Sequence, residues 1–285
     1  MQLQFTKMQG AGNDYIYLDC RQSGLPARAA QWARQLSRHH FSVGADGVIC
    51  IAPPQLADAD ATMVIYNADG SEGQMCGNGA RCVAEYLYTH GVTKPCIELD
   101  TRGAGRKTLY RTGPHTWRAG MGRFSTRAAD LPAVGLGAGP LLNIPLTAAG
   151  QTWSVSCVSM GNPHCVVVGR QEPPTGAALA QWGGALARHP AFPQGINVEF
   201  VRIDNPKALK ATVWERGSGA TLACGTGACA SVAVLVLQNR CPRETPVTVT
   251  LPGGQLEVTV LADDTVLLTG EAKTVFTGTV DLEES

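Results

Sequence analysis

The chain has 285 residues, 23 Lys and Arg against 23 Asp and Glu, and 44% hydrophobic residues, a length that favours about two domains, each with enough apolar side chains for a core. Zero formal net charge with scattered basic residues excludes the concentrated positive footprint of a nucleic-acid binder. The segment Met1 to Lys7 has no apolar signal core and the longest apolar stretch, Val232 to Leu237, is far too short for a bilayer, so the expectation is a cytoplasmic protein that meets small molecules and no membrane.

In chain order, alternating apolar residues predict strands at Tyr15 to Leu18, Val48 to Ile51 and Met63 to Tyr66, with a helix from Pro26 to about His40 between the first two. A helix is predicted over Gly79 to His90 with Gly91 as its cap, then strands and turns through Ile97 to Leu99 and residues 102–122. Pro132 to Pro145 is the best linker candidate. Strands follow near Trp153 to Cys157 and Cys165 to Val168, a helix near Ala177 to Arg188, strands at Asn197 to Ile203 and Ala211 to Trp214, and a helix from Gly227 to Gln238. Ala228 to Leu237 is apolar on every side, which places that helix inside its own domain's strands. After Pro252-Gly253-Gly254, alternating strands run to the C-terminus.

The second half repeats the first. Gly12-Asn13-Asp14 matches Gly161-Asn162-Pro163, Gly44-Ala45-Asp46 matches Gly195-Ile196-Asn197, Val64-Ile65-Tyr66-Asn67 matches Thr212-Val213-Trp214-Glu215, and Cys76 matches Cys224. Four separations between 148 and 151 residues indicate duplicated domains rather than a short-period array. The boundaries are drawn at residues 1–130 and 131–271, with a last strand over about 272–285 returning to the first domain.

Cys76-Gly77-Asn78-Gly79 and Cys224-Gly225-Thr226-Gly227 each precede a helix, where unpaired amides and the helix dipole favour a thiolate. For a lone cysteine the ordinary interpretation is a buried structural thiol; twin settings reverse it. Cys50, Cys157 and Cys165, in Val/Ile-rich runs, fit small buried hydrophobes. The spacings from Cys76 to Cys82 and from Cys224 to Cys229 are not those of a zinc knuckle, so no metal is expected. If the two domains face each other, one thiolate can remove a proton from a tetrahedral carbon while the opposite thiol supplies one to the other face, which inverts the centre. Amides of Gly77, Asn78, Gly225 and Thr226 are placed to hold a carboxylate, and none of the six lysines lies in the thiol motifs, so no pyridoxal cofactor is expected.

Lys7 to Asp14, Tyr66 to Glu72, Cys76 to Cys82, Ser159 to His164, Trp214 to Gly217 and Ala223 to Ala228 together closely resemble the diaminopimelate epimerase family over nearly the whole chain. The resemblance implies an α/β (α+β) fold of two pseudo-symmetric domains, each a mostly antiparallel strand barrel wrapped round a central helix. It implies a cofactor-independent isomerase interconverting LL- and meso-diaminopimelate on the route to lysine and peptidoglycan, and a homodimer.

By matching residues, Cys76 and Cys224 would be the acid/base pair. Asn13, Asn67, Gly77, Asn78, Asn162, Asn197, Glu215, Arg216, Gly225 and Thr226 would bind substrate, and His164 and Glu215 would tune the thiols. The mixture suits a distal amino-acid group, since Arg binds carboxylate bidentately and Glu accepts from ammonium. Two positions depart from the family: Gly47, where some members carry Gln, and Phe276, where an aromatic, often Tyr, supports dimerisation.

Singly, Asn13, Asn67, Asn162 and Asn197 could be turn residues, Glu215 and Arg216 a solvated pair, and His164 a turn histidine. Arg81 and Cys82 are expected to support the loop, and His39 and His40 to end a helix. Competing functions are a proline or hydroxyproline racemase, a thiol redox or metal-binding protein, and an inactive binding module.

Overall fold

The computed structural model describes residues 2–73, 75–102 and 104–282; Met1, where the opening segment begins, and residues 283–285 of the expected last strand lie outside them. The chain forms two units, Met1–Ala119 with Thr269–Ser285, and Gly120–Leu268. The sequence suggests lines after residues 130 and 271, whereas the units divide after Ala119 and Leu268. Pro132 to Pro145 belongs to the second unit, where Leu141 is buried in the core.

In the first unit β1 (Gln2–Gly10) and β2 (Asn13–Asp19) form a hairpin, followed by α1 (Ala29–Leu36), β3 (Gly47–Ala52), β4 (Ala61–Asn67), β5 (Glu72–Gly73), α2 (Gly77–Thr89), β6 (Cys96–Thr101), β7 (Gly105–Gly113) and β8 (Thr116–Arg123). The order continues with β9 (Ile144–Ala148), β10 (Gln151–Ser159), β11 (Pro163–Gly169), α3 (Gly176–Ala187), β12 (Asn197–Asn205), β13 (Ala208–Glu215), β14 (Gly219–Thr221), α4 (Gly225–Leu237), β15 (Val247–Leu251), β16 (Gly254–Val260), β17 (Thr265–Glu271) and β18 (Lys273–Asp281).

Each unit is the same chain path. β1–β2 is antiparallel, β2–β3 parallel, β3–β4 and β4–β5 antiparallel, β4–β6 parallel and β6–β7 antiparallel. β10 to β16 repeat those relations in sequence: β10–β11 antiparallel, β11–β12 parallel, β12–β13 and β13–β14 antiparallel, β13–β15 parallel, β15–β16 antiparallel. The outer side of the leading hairpin is covered by β18 on β1 and by β9 on β10, both antiparallel. The mostly antiparallel, two-unit α+β architecture is the one the sequence implied.

Alternation in the strands explains the layers. In β3, Val48 and Cys50 share a core cluster with Ala29, Trp32, Ala33 and Leu36 of α1, whose spacing presents one helical face. Gly47, Ile49 and Ile51 turn to the opposite face, where Ile49 lies against Gly79 of α2. In β12, Val198 and Phe200 pack with Leu179 and Leu186 of α3, leaving Asn197 and Glu199 on the face toward α4. Every residue from Gly77 to Leu87 of α2 is buried, Asn78, Arg81 and Glu85 included, and α4 is buried from Gly225 to Val236 except Thr226, as its apolar composition requires.

The first helix is shorter than expected. It begins three residues after Pro26 and stops at Leu36, and His39 and His40 lie in the following turn, where His40 has a φ of 67° that no α-helix accommodates. Strand register also corrects one duplication match. Tyr15 pairs with Gly47 and His164 with Asn197, so Gly47, not Asp46, is the counterpart of Asn197. The turn before β12 therefore carries one residue fewer, relative to the strand, than the turn before β3. Among the described residues no helix is long and apolar enough to cross a membrane.

Candidate active site

The two thiols are N-caps. Cys76 and Cys224 have extended backbones, and each sulfur accepts from the amide three residues on, Gly79 N at 3.2 Å and Gly227 N at 3.3 Å. The amides of Gly77 and Asn78, and of Gly225 and Thr226, stand in the first helical turns, where no intrahelical acceptor exists. Each unit therefore carries a sulfur beside an anion-binding helix start.

In the first unit Asn13 begins β2 after a turn in which Ala11 and Gly12 both have positive φ. Its carbonyl Oδ1 accepts from the Cys76 thiol at 3.1 Å, and its Nδ2 donates to Asp46 Oδ2 at 2.6 Å. Asp46 also accepts from the Asp14 amide at 3.0 Å, and burial raises its carboxyl above the usual range. Lys7, buried, reaches Gly44 O and pairs with Asp14 at 2.5 Å.

Asn78 is buried, and its side-chain Oδ1 accepts from Arg81 Nη2 at 2.7 Å. Arg81 supports the helix start, as expected. Asn67, ending β4, donates to Ser71 Oγ at 3.0 Å. A Cβ on Gly47 would come 2.2 Å from Tyr66 O and 2.9 Å from the Tyr15 ring, so this backbone admits no side chain there.

In the second unit Cys224 Sγ lies 3.3 Å from Thr226 Oγ1, which accepts from Asn162 Nδ2 at 3.4 Å. Asn162 Oδ1 is 3.0 Å from His164 Nε2, and His164 Nδ1 is 2.7 Å from Glu199 Oε1. His164 and Glu199 are both wholly buried, so His164 is no solvent-facing turn residue. Glu215 accepts from Thr221 Oγ1 at 2.7 Å, and Asn197 Oδ1 accepts from the Arg216 backbone amide at 3.0 Å. The Arg216 side chain is exposed.

The Cys224 thiol departs from the sequence expectation of an acidic thiol. Burial, then the carboxylates of Glu215 and Glu199, push it well above the ordinary thiol value, against the weaker pull of Thr226 and the Gly227 amide. The cap amide is present, but desolvation outweighs it.

Sequence reasoning left Glu199 and Asp46 without roles. Asp46 was visible only as part of a motif. Glu199 left one trace, a lone acid in an apolar strand two residues after Asn197 and thus on the same face. Among the described residues no group of three or more His, Cys, Asp or Glu is placed to hold a metal ion.

The diaminopimelate epimerase family model matches residues 5–124 and 156–275. The chain belongs to the diaminopimelate epimerase family. It is accordingly an isomerase. A diaminopimelate epimerase of Picosynechococcus is 45% identical over 99% of this chain and 100% of its own length, and diaminopimelate epimerase 1 of a Nostoc species is 44% identical over 98% and 99%. Among solved structures, a hydroxyproline epimerase from Agrobacterium vitis superposes with a TM-score of 0.70 at 17% identity, covering 98% of this epimerase and 91% of that chain. A probable proline racemase from Agrobacterium radiobacter gives 0.69 at 20% identity, over 99% and 93%. Those two likenesses concern the fold alone.

Proposed function

We propose that this epimerase interconverts LL- and meso-diaminopimelate without a cofactor, with Cys76 and Cys224 as the acid/base pair, on the route to lysine and peptidoglycan precursors. The observation that carries the proposal is the duplicated thiol at the head of an enclosed helix, each with a cap amide on its sulfur. The reaction requires both sulfurs to reach one α-carbon. One thiolate takes the α-proton, the electron pair left behind spreads into the carboxylate, and the other thiol protonates the opposite face. Amides of Gly77, Asn78, Gly225 and Thr226 hold that carboxylate and stabilise its growing charge.

Asn13 and Asn162 stand beside the sulfurs, directly and through Thr226, and His164 and Glu215 bear on the charge of Cys224. Asn67, Asn197, Glu215 and Arg216, at strand ends, suit the distal amino-acid group that a diaminopimelate has and proline lacks. The relatives above 40% identity favour diaminopimelate over the racemase alternative. The protein works in the cytoplasm as a homodimer through β18, where Val275 and Phe276 are exposed at 56% and 45%. The functional domains follow the two compact units.

The test is exchange of the α-hydrogen with heavy water for each purified isomer. The wild type is expected to incorporate deuterium from both diaminopimelates and not from proline. Absence of exchange in diaminopimelate, or exchange that survives in both Cys76→Ala and Cys224→Ala, would overturn the assignment.

A further inference from the structure

The duplication supplies an internal control. Register places Tyr15 and Ile49 of the first unit where the second carries His164 and Glu199. The two scaffolds agree closely enough that a Cβ on Gly79 would strike Ile49 Cδ1 at 2.7 Å, and a Cβ on Gly227 would strike Glu199 Oε1 at 2.6 Å. Beneath Cys76 the strand face is a phenol and an alkyl group; beneath Cys224 it is an ion-pairing couple. Glu199 is wholly buried, and its second oxygen, Oε2, has no hydrogen-bond partner. An acid in that condition costs stability relative to the alkyl group its counterpart carries, so its presence calls for another explanation.

We infer that Glu199 is a positioning residue: through His164 it sets the direction of the hydrogen-bond chain that ends on the Cys224 sulfur. Asn162 turns its carbonyl to His164 Nε2 and its amino group to Thr226. That arrangement is satisfied when His164 carries hydrogen on both ring nitrogens, one donated to Glu199 and one to Asn162. Thr226, accepting from Asn162, then has its own hydrogen for the sulfur 3.3 Å away, which favours the thiolate.

Without the carboxylate, His164 is left with a single N–H, the amide turns over, Thr226 donates to Asn162 and the sulfur keeps its proton. The charge of Glu199 acting directly on Cys224 works in the opposite sense. The Glu199 carboxylate acts from behind His164, whereas the hydroxyl acts at the sulfur itself, 3.3 Å away. The charged and titratable groups around Cys224 are His164 on β11, Glu199 on β12 and Glu215 on β13.

The inference rests on the assignment of Cys224 as a proton carrier, and the experiment separates the two. In Glu199→Gln, iodoacetamide labelling followed by peptide mass spectrometry is expected to show Cys224 alkylated about tenfold more slowly at neutral pH and Cys76 unchanged. Ring nitrogen NMR shifts of His164 are expected to move from the doubly protonated to the single-tautomer pattern. Turnover should fall about tenfold in both directions at unchanged KM, and adding Glu199→Gln to His164→Asn should cost nothing more. Faster or unchanged alkylation of Cys224, an unmoved His164 signal, or additive losses in the double variant would each overturn the inference. Full turnover in Cys224→Ala would instead overturn the assignment on which it rests.

Discussion

Replacing Gly227 by Ala asks whether Glu199 is held or free, and Gly79→Ala is the matched control. Alanine gains up to about 1 kcal/mol over glycine in a helix at either position. At Gly79 the new methyl meets Ile49 Cδ1 at 2.7 Å, the far end of a flexible side chain. A rotamer adjustment of about 1 kcal/mol relieves the clash, so the net change should be close to zero. At Gly227 it meets Glu199 Oε1 at 2.6 Å and Cγ at 3.2 Å. That carboxylate is wholly buried and bonded to His164 at 2.7 Å, so it retreats only by giving up a charge-assisted bond, at about 3 kcal/mol. Set against the helix gain, the expected loss is about 2 kcal/mol, which lowers the thermal midpoint of the second unit by roughly 4–8 °C. Differential scanning calorimetry of the two variants reads this directly. Equal effects at the two glycines, or a neutral Gly227→Ala, would refute the picture of a locked carboxylate.

Cys76→Ala and Cys224→Ala should each reduce turnover by about 1,000-fold or more with an unchanged circular dichroism spectrum, since each removes one face's proton carrier. Because the Cys224 thiol is pushed upward, its thiolate forms only at higher pH than an ordinary thiol's; its alkylation rate should keep rising above about pH 9, and a plateau below that would contradict the direction of the shift. Lys7→Met removes the buried partner of Asp14 and should destabilise the first unit by about 2–4 kcal/mol in urea unfolding, with no loss counting against that pair's role. Phe276→Asp should shift sedimentation from dimer to monomer, and an intact dimer would argue for another interface.

The sequence made the duplication, the enclosed helices and both thiols legible because each depends on local pattern: a glycine-rich cap before an apolar run, or alternation along a strand. Asn13, Asn162 and His164 were readable as motif members, but not the direction of their hydrogen bonds, which register across β2–β3 and β11–β12 decides. Glu199 had no motif to carry it, and its meaning comes from which face of β12 packs on α4. The acidity of Cys224 was misjudged for a related reason: the cap amide is a local feature, whereas burial and the carboxylates of Glu215 and Glu199 are supplied by β13 and β12. Helix α1 was overestimated because the left-handed turn at His40 leaves no mark in composition.

The strand Lys273–Asp281 lies against the outer side of Gln2–Gly10, so during synthesis the edge of the earlier strand stays uncovered until the later one has been made. The second unit is one unbroken stretch and can close during synthesis; the first, started earlier, finishes later. Until then the unit that carries Cys76 keeps an open strand edge, a wait that the unit carrying Cys224 does not share.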